Sequence, residues 1–209
     1  GVSPNVVTYL CTLKACGCLG QTNKVRKIYT QIESNAILDT DSVRNSLANI
    51  YAKCGWLERA EKVFDKLSVP NVVSWNALIS GYAQQGQFHE ALDCFERMRS
   101  EGVFPNRVTF ICILKACGQI GAIQKGKQIH DEIVSRGLLE KDIVLGNALI
   151  DMYAKCQMLS NACKVLQELP FRNVITWSTL IAGYAQQGHG QEALDCLVAM
   201  KSEGLSPNV

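Results

Sequence analysis

A chain of 209 residues, 47% of them hydrophobic, can bury a sizeable core as one ordinary domain or two small ones. Its net charge of +2 is too small to grip any phosphate backbone by bulk counterion release, so a nucleic-acid partner would have to be held by local contacts. No run of about 20 apolar residues could cross a bilayer, and the first residues carry neither a secretory leader nor an Arg- and Ser-rich transit segment.

Along the chain, GVSPN at 1–5 has the look of the end of a preceding unit, and VTYLCTLKACGCLG follows at 7–20. NSLANIYAKCG at 45–55 comes next, and then WNALISGYAQQGQFHEALDCFERMRSEGVFPN at 75–106. The same series then recurs. VTFICILKACGQIG stands at 108–121, NALIDMYAKCQ at 147–157 and WSTLIAGYAQQGHGQEALDCLVAMKSEGLSPN at 177–208. The large repeat is thus about a hundred residues long and divides into three related pieces. The pieces run 6–40, 41–71 and 72–106, then 107–142, 143–173 and 174–208, and Val209 begins another.

Each piece predicts two antiparallel helices. In 72–106, Trp75, Leu78, Ile79 and Tyr82 share one helical face, and Gly86 breaks the helix. Phe88, Ala91, Leu92, Phe95 and Met98 form the stripe of the second helix, which Gly102 and Pro105 end. Thr8, Ser74, Thr109 and Thr176 each precede an aromatic residue, where a hydroxyl is expected to cap the first helix. No segment alternates as a strand would. One hairpin cannot bury its own stripe, so neighbours must stack. The expected fold is all-α: a right-handed α-solenoid of about six helix-turn-helix repeats, with twelve antiparallel helices, forming a single array over 1–209.

The ten cysteines include no C-x-x-C pair. Cys11 and Cys112, Cys16 and Cys117, Cys54 and Cys156, and Cys94 and Cys196 recur at equivalent places, which predicts core packing in a reducing compartment.

The repeated signature is V-T/S-aromatic-x-x-L-I, then Y-A-x-x-G, E-A-L-x-x-F-x-x-M and a closing G-x-x-P-N. It resembles the pentatricopeptide repeat. The alternation of a long form (KAC and GKQIH in 107–142), a short form (143–173) and a standard form resembles that family's plant triplet subclass. The likeness covers six consecutive units over 6–208. It implies single-stranded RNA as partner, one base per reading repeat, in a mitochondrion or chloroplast, most often to specify a cytidine for conversion to uridine. It implies no cofactor, no membrane and no small-molecule substrate, and accessory proteins recruited through the long units.

In such repeats the fifth and last residues choose the base. Here these are Asn45 with Asn71, Asn76 with Asn106, Asn147 with Asn173, and Ser178 with Asn208. An Asn amide offers donors and an acceptor to a pyrimidine edge, whereas a short Ser leaves room for a purine. Leu10 with Thr40 or Asp41, either of which closes the first long unit, and Ile111 with Asp142 hold those places in the long units, where little readout is expected. The implied tract is 5′-n-Y-Y-n-Y-A-3′, with Y a pyrimidine. By the same likeness Val73, Val144 and Ile175 would sandwich bases, Ser42 would not, and Lys53 and Lys155 would contact phosphate, with Gln84 and Gln186 in their place elsewhere.

Periodicity alone leaves other readings open. The Asn residues could be solvated helix positions, and the branched residues could be core. Trp75, Trp177, Tyr82 and Tyr184 lie on the apolar stripe and are expected to pack between helices rather than stack on bases. Catalysis by a zinc deaminase needs H-x-E and a later P-C-x-x-C. His130-Asp131-Glu132 supplies the first without the second, so no enzyme is expected. The competing function is a protein-interaction scaffold of the tetratricopeptide kind, and an array with exposed end stripes could also self-associate end to end.

Overall fold

The computed structural model describes residues 5–18, 24, 27, 28, 30, 31 and 41–207. Among the described residues there are eleven α-helices and no strand: α1 (Val6–Cys18), α2 (Asp41–Lys53), α3 (Leu57–Phe64), α4 (Val72–Gln84), α5 (Phe88–Ser100), α6 (Arg107–Ile120), α7 (Ile123–Ser135), α8 (Ile143–Lys155), α9 (Leu159–Glu168), α10 (Val174–Gln186) and α11 (Gly190–Ser202). Residues 24, 27, 28, 30 and 31, where the twelfth helix is expected, are helical; the rest of that span, with Thr40 and Asn208, lies outside the described residues. No described helix is long and apolar enough to cross a membrane.

The helix starts correct one expectation. The caps are not the hydroxyls but the Asn residues three positions earlier. Asn71 accepts from the backbone N–H groups of Val73 and Ser74, and the Ser74 hydroxyl reaches back to the Asn71 N–H, closing a capping box. Asn173 and Thr176 do the same at α10. A carbonyl oxygen on a short side chain reaches the free N–H groups of the first turn, whereas Ser74 and Thr176 are already inside it.

The chain divides into two compact units, with the boundary between Thr109 and Phe110. In the first, α2 packs on α1, α3 and α4, and α4 packs on α3 and α5. Trp75, Leu78, Ile79 and Tyr82 are all buried, as the spacing predicts, and so are Ala91, Phe95 and Met98 on α5, which packs against α4. Phe64 meets Trp75 edge-on, with ring centroids 4.5 Å apart, and the Arg97 guanidinium covers both rings. Each fully buried side chain of this size stabilises by about 1.5–3 kcal/mol.

In the second unit α8 packs on α7, α9 and α10, and α10 on α9 and α11. First helices lie side by side in both units because a glycine removes the obstacle. A Cβ on Gly81 would stand 2.8 Å from the Ala52 Cβ, and one on Gly183 would stand 2.7 Å from the Ala154 Cβ. After α2 the chain turns through Gly55 at φ +76°, but Gln157 makes the equivalent turn after α8 at φ 60°. Only that turn uses an L-residue with a side chain at positive φ among the described residues.

Candidate nucleic-acid interface

Every described closing Asn is committed through its oxygen. Asn71 Oδ1 accepts from Val73 N at 2.9 Å, Asn106 Oδ1 from Val108 N at 3.0 Å and Thr109 N at 3.2 Å, and Asn173 Oδ1 from Thr176 N at 2.9 Å. Asp142 caps α8 the same way, accepting from Val144 N at 3.0 Å. The capping oxygen is therefore fixed, and what each Asn can still offer outward is its NH2 group.

The fifth residues differ from one another. Asn76 is half-buried and donates its Nδ2 to Asn106 Oδ1 at 3.0 Å, so the two side chains of this pair touch across the hairpin. Its own Oδ1 accepts the Thr109 hydroxyl at 2.6 Å. Asn45 and Asn147 each hold a buried Oδ1 with no hydrogen-bond partner, an arrangement that costs about 1–3 kcal/mol per group. Ser178 is exposed.

The branched second residues are not core. Val73, Val144 and Ile175 are 60%, 39% and 59% exposed. Val7 and Val108 hold the same place in the long units and are exposed too, as is Ser42. Those two valines were missed, although the recurring V-T-aromatic opening carries them.

Two grooves lie between neighbouring first helices, and the one in the second unit gathers residues of these kinds. In the second unit a groove of about 430 Å³ between α8 and α10 is lined by Asp151, Lys155, Ile175, Ser178, Thr179 and Gln186. A base-reading candidate, a clamp candidate and a phosphate candidate thus share one wall, with Lys155 paired to Asp151 at 2.6 Å. In the first unit a groove of about 310 Å³ between α1 and α2 holds Leu10, Lys14, Ser46, Asn49, Ile50 and Lys53. Lys14 was not anticipated; it lies one turn after Leu10 on the same helix face. Trp75, Trp177 and Tyr82 are buried and Tyr184 half-buried, so they pack between helices.

Residues 70–138 and 172–209 match the PPR repeat family, and 42–69 and 147–174 match the PPR repeat. The chain belongs to the pentatricopeptide-repeat family. It is 38% identical over 207 residues to a mitochondrial pentatricopeptide repeat-containing protein of Arabidopsis thaliana, covering 99% of this chain and 32% of that protein. A chloroplastic member from the same plant is 37% identical over 205 residues, covering 98% and 33%. The chain therefore spans about a third of the length of these curated relatives. Among solved structures it resembles the pentatricopeptide repeat protein PPR10 from maize, with a TM-score of 0.68 and 19% identity over 98% of this chain and 35% of that one. PPR10 in complex with an 18-nt psaJ RNA element gives 0.66, covering 100% and 36%. At this identity the likeness establishes the fold: a solenoid of pentatricopeptide hairpins.

Several ionisable groups away from the grooves of this pentatricopeptide-repeat chain are engaged within the fold. His130 Nδ1 lies 2.9 Å from the Tyr153 hydroxyl, and Glu132 pairs with Arg136, so the H-x-E of α7 is spent within the fold. Burial holds His130 below its ordinary pKa despite Glu168 and Asp131, and pushes Tyr153 up to about 12. Cys16 and Cys117 are buried and most other described thiols half-buried, but Cys11 is exposed, a departure from the expected core role. Burial pushes the Cys94 and Cys117 thiols up to about 12 and Cys196 to about 11, so none is primed as a nucleophile.

Proposed function

We propose that this chain is a sequence-specific single-stranded RNA-binding module, part of a longer organellar RNA-processing factor. Asn45 with Asn71, Asn76 with Asn106, Asn147 with Asn173, and Ser178 with Asn208 read the bases 5′-n-Y-Y-n-Y-A-3′. Val73, Val144 and Ile175 hold bases by their apolar faces, and Lys53 and Lys155 contact phosphate. The observation that carries the reading is the wall of the α8–α10 groove, where exposed Ile175, Ser178 and Lys155 stand together. An exposed branched residue beside a small hydroxyl and an ammonium suits a nucleotide: base face, base edge and phosphate.

The mitochondrial and chloroplastic relatives support an organellar address, and the RNA-bound PPR10 supports the choice of ligand. The triplet alternation supports a role in specifying a cytidine for editing. The half-buried Leu10 and Ile111 leave the long units little edge readout and suit them to an accessory protein.

Binding to a labelled RNA carrying the matched tract, against the same RNA with its final A replaced by a pyrimidine, tests the proposal. The parent should prefer A, and Ser178→Asn should move the preference towards the pyrimidine. Equal binding of matched and permuted RNAs by the parent would leave the scaffold reading standing instead.

A further inference from the structure

The contact between Asn76 and Asn106 has only one hydrogen-bonding solution. Asn106 Oδ1 caps α6 and accepts from two backbone N–H groups, so it can face Asn76 only as an acceptor. Asn76 must therefore turn its Nδ2 towards Asn106, as observed at 3.0 Å. That places Asn76 Oδ1 against the Thr109 hydroxyl at 2.6 Å, and Thr109 must donate. The same hydroxyl lies 3.2 Å from Asn106 Oδ1 and accepts the Asn106 N–H at 3.1 Å, but its single proton goes to the shorter contact. Thr109 is fully buried, so water does not compete for it.

We propose that Thr109, on the helix after the reading pair, is a positioning residue that locks the Asn76 amide and so makes this repeat prefer cytosine over uracil. With Oδ1 occupied by Thr109, the pair offers a base chiefly N–H donors: the second proton of Asn76 Nδ2 and the Asn106 NH2. Cytosine presents two adjacent acceptors, N3 and O2, to such a face. Uracil presents an N3–H, which would have to share the oxygen already drawn to the buried Thr109 hydroxyl, through its one remaining lone pair.

The other Asn pairs lack the lock. Thr176 gives its hydroxyl to Asn173 Oδ1 at 3.0 Å, and Ser74 gives its hydroxyl to the Asn71 backbone oxygen at 2.8 Å. Asn147 Oδ1 and Asn45 Oδ1 are left without a donor. No donor holds either buried oxygen in place, so flipping these amides breaks no hydrogen bond at oxygen, and those repeats should accept both pyrimidines.

The inference rests on the RNA reading proposed above. Its test uses the full chain with two labelled RNAs that differ only by C or U at the third position of the tract. The parent should bind the C form about fivefold more tightly, the worth of one neutral hydrogen bond. Thr109→Val should bring the two within about twofold, and Thr109→Ser should restore the preference. Thr176→Val removes an equivalent capping hydroxyl and should leave the C-to-U ratio at the third position unchanged.

A melting curve monitors folding of each variant. The Asn76 side-chain NH2 resonance provides a second readout that needs no RNA: slow exchange in the parent and in Thr109→Ser, fast in Thr109→Val. A Thr109→Val protein that binds RNA and keeps the parental ratio overturns the inference and leaves RNA reading intact. An unchanged Asn76 resonance overturns it equally. A parent that binds matched and scrambled RNA alike refutes both.

Discussion

Lys155 Nζ lies 2.6 Å from Asp151 Oδ2, one turn back on the same helix and on the wall of the groove that holds Ser178. In the first unit the equivalent of Asp151 is Asn49, beside Lys53 on the wall of its own groove. The two lysines therefore sit beside different net charge, although their helices are close copies. If RNA runs along this groove as proposed, the carboxylate repels its phosphates and occupies the cation that would hold them. Asp151→Asn, which copies Asn49, should raise RNA affinity by about two- to fivefold, the range set by a half-exposed ion pair. It should also steepen the salt dependence by about one released ion. Titrations at two salt concentrations check both.

Gln157 turns the chain after α8 at φ 60°, the conformation Gly55 adopts after α2. A side chain there costs about 1 kcal/mol relative to glycine. Gln157→Gly should stabilise the protein by about that amount, seen as a higher melting temperature with RNA binding unchanged.

Close approach of first helices rests on Gly81, where an added Cβ would meet the Ala52 Cβ at 2.8 Å and the Leu57 Cδ2 at 2.9 Å. Gly81→Ala gains helix propensity but overpacks the α2–α4 contact, and overpacking costs about 1–3 kcal/mol. Net destabilisation is expected in thermal melts. Gly190, at the start of α11, has open space around it, and Gly190→Ala should not lower the melting temperature.

His130 is held below its ordinary pKa of 6.5, first by burial, with Glu168 and Asp131 opposing. The folded state thus binds this proton less readily than the unfolded chain. Its contribution is complete above the unfolded value and declines as pH falls through 6.5 towards the lower folded value. Between pH 7 and 5.5 the parent should lose melting temperature, whereas His130→Gln should lose less. Asp41 and Glu192, whose pKa values lie below 3.8 and 4.5 in the fold, act only at more acid pH and do not confuse the comparison.

The same chemistry explains which parts of the candidate interface could be read in advance. Trp75, Leu78, Ile79 and Tyr82 recur at helical spacing because one face of α4 must be dry, and all four are buried. Spacing could not separate the dry stripe from exposed Val73, because the first turn of a helix has two edges and period alone does not say which is covered. The closing Asn residues raised a different difficulty. Cap and base reader call for the same short amide, so residue type at 71, 106 and 173 could not show that the oxygen is already committed.

Sequence by itself determined the all-α class and the hairpin as building block, since both follow from periodicity and motif spacing within a few dozen residues, and the resemblance of its repeated motif pointed to the family. Only the tertiary structure decided which polar atoms remain available. That depends on partners about thirty residues away: Asn106 and Thr109 for Asn76, and none for the Oδ1 of Asn45 or Asn147. A hydrogen bond extends about 3 Å, and which atoms come within it is set by how helices pack, not by their order along the chain.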